Sequence, residues 1–248
     1  MSEESYSLDK LRSTLIRLED TIIFALIERA QFALNPCIYQ KGALEFQGAT
    51  GEKRFLEYFF WETEKVHDEY AFTSPLPEPI LPPLQFDEFL YPNGININNK
   101  IMDIYIKDIL SVICKKEDDM NYGSSATKDI EALQALSKRI HFGKFIAESK
   151  FRSNPSEYIK LALAEDREKI DELLTNKKVE EQVLERLRRK ALVYGQTLDE
   201  EQEGTSKHLR IPVELVVDLY KRWVIPLTKE VEVDYLIIRG KAAAAVSK

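Results

Sequence analysis

Residues 124–151 read SSATKDIEALQALSKRIHFGKFIAESKF, and the spacing of their apolar positions decides the fold. Ile130, Leu133, Ile140 and Ala147 recur at helical intervals along one side, and Ala135, Phe142, Gly143 and Ile146 along another. A helix that is apolar on two sides is buried on both, so the stretch predicts one long central helix, capped by Ser124 or Ser125 and ending near Phe151. Two cations interrupt it. Arg139 and Lys150 are eleven residues apart, which at 100° per residue returns them to within about 20° of each other, three turns along one face. Cations on a buried face cost several kcal/mol each unless something negative meets them.

Other helices flank this one. Leu8, Leu11, Leu15, Leu18, Ile22 and Leu26 recur at spacings of three and four, predicting an amphipathic helix from about Tyr6 to Phe32, with Arg17, Glu19 and Asp20 outside the stripe and Arg12 beside it. Further helices are expected over about Glu52–Tyr70, Asn98–Cys114, Pro155–Leu174 and Asn176–Tyr194, the last ended by Gly195. A final one is opened by Pro212, runs to about Arg239 and is bent or opened at Pro226. Between the second and third, six prolines in the eighteen residues from Pro75 to Pro92 exclude a helix. The apolar residues among them make 71–96 an ordered connection packed on the surface. Lys115–Asp119 is expected as a solvated break, 197–210 as an acidic loop and 241–248 as a frayed tail.

Composition supports the helical reading. Only 9 of the 248 residues are glycine, about half the ~7% average, which disfavours sheet turns and phosphate-cradling loops. The expected class is all-α: a single-domain bundle of long helices over 1–240 without significant β-sheet. A formal charge of −7 offers no basic field for nucleic acid or an anionic membrane. No apolar run approaches the ~18 residues of a membrane span, and the acidic start lacks the character of a targeting signal. Cys37 and Cys114, the only cysteines, form no disulfide framework. A cytoplasmic protein is expected.

The usual catalytic motifs are missing. His67, His141 and His208 are scattered, Glu64-x-x-His67 occurs once and reads as a surface pair, and no Walker, H-E-x-x-H or G-x-S-x-G pattern occurs. Neither a metal nor a cofactor is expected. Polar residues placed on apolar stripes are more telling. Asn176 and Glu180, at i and i+4, align with Val183 and Leu187; Thr228 and Glu232, again at i and i+4, align with Val217, Val224 and Tyr235. For any one of these residues a buried ion pair or a charged stripe edge is the simpler reading. Together, Arg12, Arg139, Lys150, Asn176, Glu180, Thr228 and Glu232 suggest a cationic pocket inside the bundle, suited to a small di-anion carrying a hydroxyl.

These same segments carry a resemblance. Arg139 through Lys150, the preceding Gly123–Glu131, Arg17–Phe24, Val179–Leu187 and Ile225–Tyr235 resemble the eukaryotic all-helical chorismate mutases, the fungal ones in particular, in order along nearly the whole chain. The resemblance implies a helical homodimer that converts chorismate to prephenate on the way to phenylalanine and tyrosine, without a cofactor. It also implies roles. Arg12 and Arg139 would bind the two substrate carboxylates with help from Thr228, Lys150 and Glu232 would hydrogen-bond the ether oxygen, and Asn176 and Glu180 would hold the ring hydroxyl. Glu232 must then be protonated, with burial beside other carboxylate charge raising its pKa.

Regulated fungal members bind tyrosine or tryptophan at a second site, which the resemblance maps to Asn121, Gly123, Ser124 and Thr127. The arginine pair expected with it is missing: the chain reads Glu69-Tyr70-Ala71-Phe72 there, and Pro212 replaces a threonine. Weakened or altered effector control is expected. The rival reading from another class is a catalytically silent helical scaffold or small-molecule sensor built on the same bundle.

Overall fold

A computed structural model describes residues 7–46, 53–66, 71–82, 89–196 and 211–246. Among these residues the regular structure is helical throughout, with no strand. Two long helices cross the interior beside the central pair: α1 (Leu8–Arg29) packs along α5 (Tyr122–His141), and α11 (Ile225–Val246) packs along α6 (Gly143–Ser153) and α7 (Pro155–Leu163). The remaining helices are α2 (Phe55–Thr63), α3 (Asn98–Ile104), α4 (Leu110–Ile113), α8 (Arg167–Leu174), α9 (Lys177–Tyr194) and α10 (Val213–Leu219). Leu26, Leu133 and Tyr220 are among the side chains sealed in the larger core; Ala147, Ile170 and Leu236 belong to a smaller one around α6, α8 and α11. Among the described residues no helix is long and apolar enough to cross a membrane.

The central helix is two helices rather than one. It begins at Tyr122 with Asn121 in the cap position, and Ser125, expected as a cap, is buried with its hydroxyl accepting from Asn35 Nδ2 at 2.9 Å. It breaks at Phe142, where the Phe145 N–H bonds the Phe142 carbonyl in a tightened turn. Glycine at 143 is both a weak helix former and a necessity of packing. A Cβ there would stand 2.9 Å from Thr228 Cγ2 and 3.0 Å from Glu232 Cγ. The three-turn alignment of Arg139 with Lys150 therefore spans a joint, and α11 closes on that joint.

Other boundaries move for local reasons. The helix expected over Glu52–Tyr70 spans only Phe55–Thr63, and the one expected over Pro155–Leu174 is split where Glu165 turns to a φ of 54° and Asp166 caps α8 through Lys169 N. Gly195 ends α9 in a right-handed conformation, φ −77°. Pro226, which has no N–H to donate, sits just after a widened π-helical turn, Tyr220–Val224, which joins α10 to α11. The tail is not frayed through 246: α11 continues to Val246, with Gly240 packed so closely on α7 that a Cβ would meet Ala162 Cβ and the Tyr158 carbonyl.

The proline-rich connection is tied down at both described ends. Glu64, expected at the surface, is buried, and its carboxylate accepts from the Phe72 and Thr73 N–H groups and the Thr73 hydroxyl. At the far end the Tyr91 N–H donates to the Tyr235 hydroxyl oxygen at 2.8 Å. Lys115–Asp119 is exposed yet bonded: its backbone accepts from Leu34 and Asn35, and Asp119 from Ala33 N. His67, Glu69, Tyr70, His208 and the acidic loop 197–210 lie outside the described residues.

Candidate active site

A cavity of about 570 Å³ opens between α1, α5, α6, α9 and α11, and all seven residues singled out on helical spacing line it. Arg139 comes from the last turn of α5, Lys150 from α6, and Thr228 and Glu232 from successive turns of α11. Asn176 and Glu180 come from the start of α9, where the Asn176 Oδ1 caps the helix by accepting from Val179 N at 3.2 Å. Arg12 departs from the half-inward position expected of it. Its side chain is 58% exposed and pairs loosely with Asp9 at 3.4 Å, so it stands at the mouth.

Arg139 is buried, and no carboxylate faces it at ion-pair distance among the described residues. Its Nη1 donates to the Thr228 hydroxyl at 3.3 Å, its guanidinium lies 5.8 Å from the Tyr220 ring centroid, and its Nε has no acceptor. Lys150 is held by a single bond from Nζ to the Leu174 carbonyl at 3.1 Å. Burial lowers its pKa, and the nearby Glu232 opposes that shift. Glu232 is pushed up to about 7 by burial, against the pull of Lys150, Arg139 and Lys229. Carboxylate charge, expected as part of the cause, enters only weakly through Asp171.

The other anions on the wall are neutralised. Glu180 pairs with Lys229 at 2.7 Å, and Glu19 is held by Arg186 at 2.6 and 2.8 Å and by Lys190 at 3.2 Å. With Glu232 held partly protonated near neutral pH, buried Arg139 and half-buried Lys150 are left as cations facing an open cavity. Such an arrangement is costly by itself and is relieved by an anion with at least two acceptor groups. Among the described residues no three His, Cys, Asp or Glu side chains are grouped to hold a metal ion.

The chorismate mutase of Trichoderma parareesei is 46% identical to this chain over 255 residues, covering 96% of this chain and 95% of that protein. The chain belongs to the chorismate mutase family. The family description Chorismate mutase type II matches residues 121–233, the span that supplies six of the seven residues singled out on helical spacing, all but Arg12. Two solved structures superpose closely. The chorismate mutase of Candida albicans in complex with L-Trp has a TM-score of 0.86 at 39% identity, covering 94% of this chain and 92% of that one. The structure of AtCM1 with tyrosine bound in its allosteric site has a TM-score of 0.83 at 41% identity, covering 96% and 98%.

The candidate effector residues are elsewhere. Asn121, Gly123, Ser124 and Thr127 are exposed at the first turns of α5, away from the cavity, with Thr127 Oγ1 bonded to the Gly123 carbonyl. Of the segment where the arginine pair is missing, Phe72 is buried and stacked on Phe60.

Two wall residues escaped the sequence reading. Lys229 adjoins Thr228 on α11 but falls off its apolar stripe. Glu19 falls beside the stripe of α1 and is buried only because α9 brings Arg186 and Lys190 over it. Nothing in their spacing marked them.

Proposed function

We propose that this chain catalyses the [3,3] rearrangement of chorismate to prephenate. Buried Arg139, with its unanswered Nε–H and no carboxylate partner among the described residues, is the observation that carries this reading. The reaction needs no nucleophile. It needs a flexible di-anion held in a reactive chair-like conformer, and the negative charge that develops on the ether oxygen stabilised.

In this reading Arg139 receives one substrate carboxylate through its planar fork, with the Thr228 hydroxyl bonded beside it, and Arg12 closes over the other from the mouth. Lys150 from α6 and protonated Glu232 from α11 donate to the ether oxygen. Asn176 and Glu180 hold the ring hydroxyl, with Lys229 fixing the Glu180 carboxylate. The catalytic unit is a homodimer acting in the cytoplasm, and tyrosine and tryptophan are its candidate effectors. The solved relatives with L-Trp and tyrosine bound support an effector site, while the absent arginine pair points to weaker control.

Loss of chorismate absorbance with purified protein tests the proposal. Turnover in the parent and its collapse in Lys150→Ala are expected. An inactive parent would favour the silent scaffold, although a scaffold has no reason to keep a buried arginine and a half-buried lysine facing a cavity.

A further inference from the structure

Two residues before Lys150 on α6, Glu148 is 1% exposed and does not line the cavity. Its carboxylate is fully engaged. Oε1 accepts from Arg152 Nε at 2.8 Å, one turn further along α6, and Oε2 accepts from the Tyr235 hydroxyl at 2.7 Å and Arg239 Nε at 3.0 Å, both on α11. The Tyr235 hydroxyl in turn receives the Tyr91 N–H, and Arg152 Nη2 donates to the Phe89 carbonyl, so the end of the proline-rich connection is bound into the same cluster.

A buried carboxylate of this kind is not needed for stability alone, because well-packed apolar residues hold two helices together as well or better. What it adds is direction. The bonds from Glu148 reach α11 one turn beyond Glu232, since Tyr235 follows Glu232 by three residues. Glu148 and Lys150 are about 200° apart around α6, so the carboxylate grips the helix from behind while Lys150 faces the cavity. At the other end of α6, bare Gly143 sets the spacing to Thr228 and Glu232. Between these two contacts α6 can neither slide nor roll against α11.

We propose that Glu148 is a positioning residue: by clamping α6 to α11 through Tyr235 and Arg239, it fixes the register at which Lys150 faces Glu232. The inference rests on the reading that Lys150 and Glu232 act together on the substrate. A misplacement of about 1 Å at a reacting centre costs up to about a hundredfold in rate, so a clamp outside the cavity has a measurable effect.

The test compares Glu148→Gln with the charge-neutral Tyr235→Phe, each first shown by circular dichroism to be folded at the assay temperature. A loss of about tenfold in kcat for Glu148→Gln and about threefold for Tyr235→Phe is expected, with KM little changed. The discriminating readout is the pH profile. The charged or titratable groups facing Glu232 are Lys150 on α6, Arg139 on α5, Lys229 on α11 itself, Asp171 on α8 and Tyr158 on α7, and Lys150 is the strongest of those holding its pKa down. Releasing Lys150 without changing any charge therefore raises the Glu232 pKa, and the alkaline fall in turnover of Tyr235→Phe moves to higher pH. Parental kcat in both variants overturns the proposal, as does a loss of kcat with an unmoved alkaline limb. Should Glu148→Gln fail to fold, Tyr235→Phe decides alone. Failure of the site reading is distinguishable: Lys150→Ala would then turn over chorismate as the parent does.

Discussion

Gly143 presses its bare Cα against Thr228, leaving room for no side chain: an added Cβ would be 2.9 Å from Thr228 Cγ2 and 3.0 Å from the Thr228 carbonyl oxygen. Backbone cannot yield as a flexible side chain can, so Gly143→Ala forces α6 and α11 apart where Thr228 and Glu232 enter the cavity. A destabilisation of about 1–3 kcal/mol in urea unfolding is expected, with a disproportionate loss of turnover. Gly94→Ala is the control, because nothing lies within 4 Å of its added Cβ.

Arg139 is expected to separate function from stability. In Arg139→Met the buried, unanswered Nε–H disappears while most of the side-chain volume remains, so the melting temperature should hold or rise. kcat/KM should fall by about a thousandfold, because the carboxylate loses its fork. A clear drop in melting temperature would show Arg139 to be chiefly structural.

Glu232 makes both activity and stability depend on pH. Its pKa is raised to about 7, so turnover should fall as pH rises through about 7, and Glu232→Gln should flatten that fall. The same shift sets a stability slope. In the unfolded chain the group ionises near the ordinary 4.5, so between about 4.5 and 7 the folded state holds more protons, and stability declines as pH rises across that window. Urea midpoints of parent and Glu232→Gln across the window measure it; equal slopes would contradict the assignment.

Arg29 and Asp129 form the ion pair whose loss should matter most to folding. The Nε donates to Asp129 Oδ1 at 2.6 Å with both side chains fully buried, and the Tyr39 and Tyr105 hydroxyls donate to the same carboxylate. Burial raises the Asp129 pKa although Arg29 opposes it, so the group depends on its three donors. Asp129→Asn leaves Arg29 charged and unpaired, and a loss of about 3–5 kcal/mol in urea unfolding is expected.

Effector control is read from initial rates. Tyrosine or tryptophan at saturating concentration should change turnover only weakly, because the expected arginine pair is missing around Glu69–Phe72. Strong inhibition by tyrosine would mean that another cation answers the amino-acid carboxylate.

The helices and the paired polar positions were legible in the sequence because the helical period is a local property. Asn176 with Glu180, and Thr228 with Glu232, share a face whatever surrounds them, and each pair interrupts an apolar stripe that otherwise demands burial. The family was legible by resemblance, since blocks such as Arg139–Lys150 and Ile225–Tyr235 match it in order along the chain. The joint at Phe142 was not. It exists because α11, some ninety residues later, closes on Gly143, and no local signal distinguishes that glycine from one in an unbroken helix. The burial of Glu19, the Lys229–Glu180 pair and the Glu148 clamp likewise depend on partners more than forty residues away. Which polar groups belong to this protein's apolar faces was thus determined by sequence, through periodicity. Which of them are neutralised, and which stay charged and unanswered toward the cavity, was decided only by tertiary structure, because charge compensation depends on distances that spacing along one helix does not set.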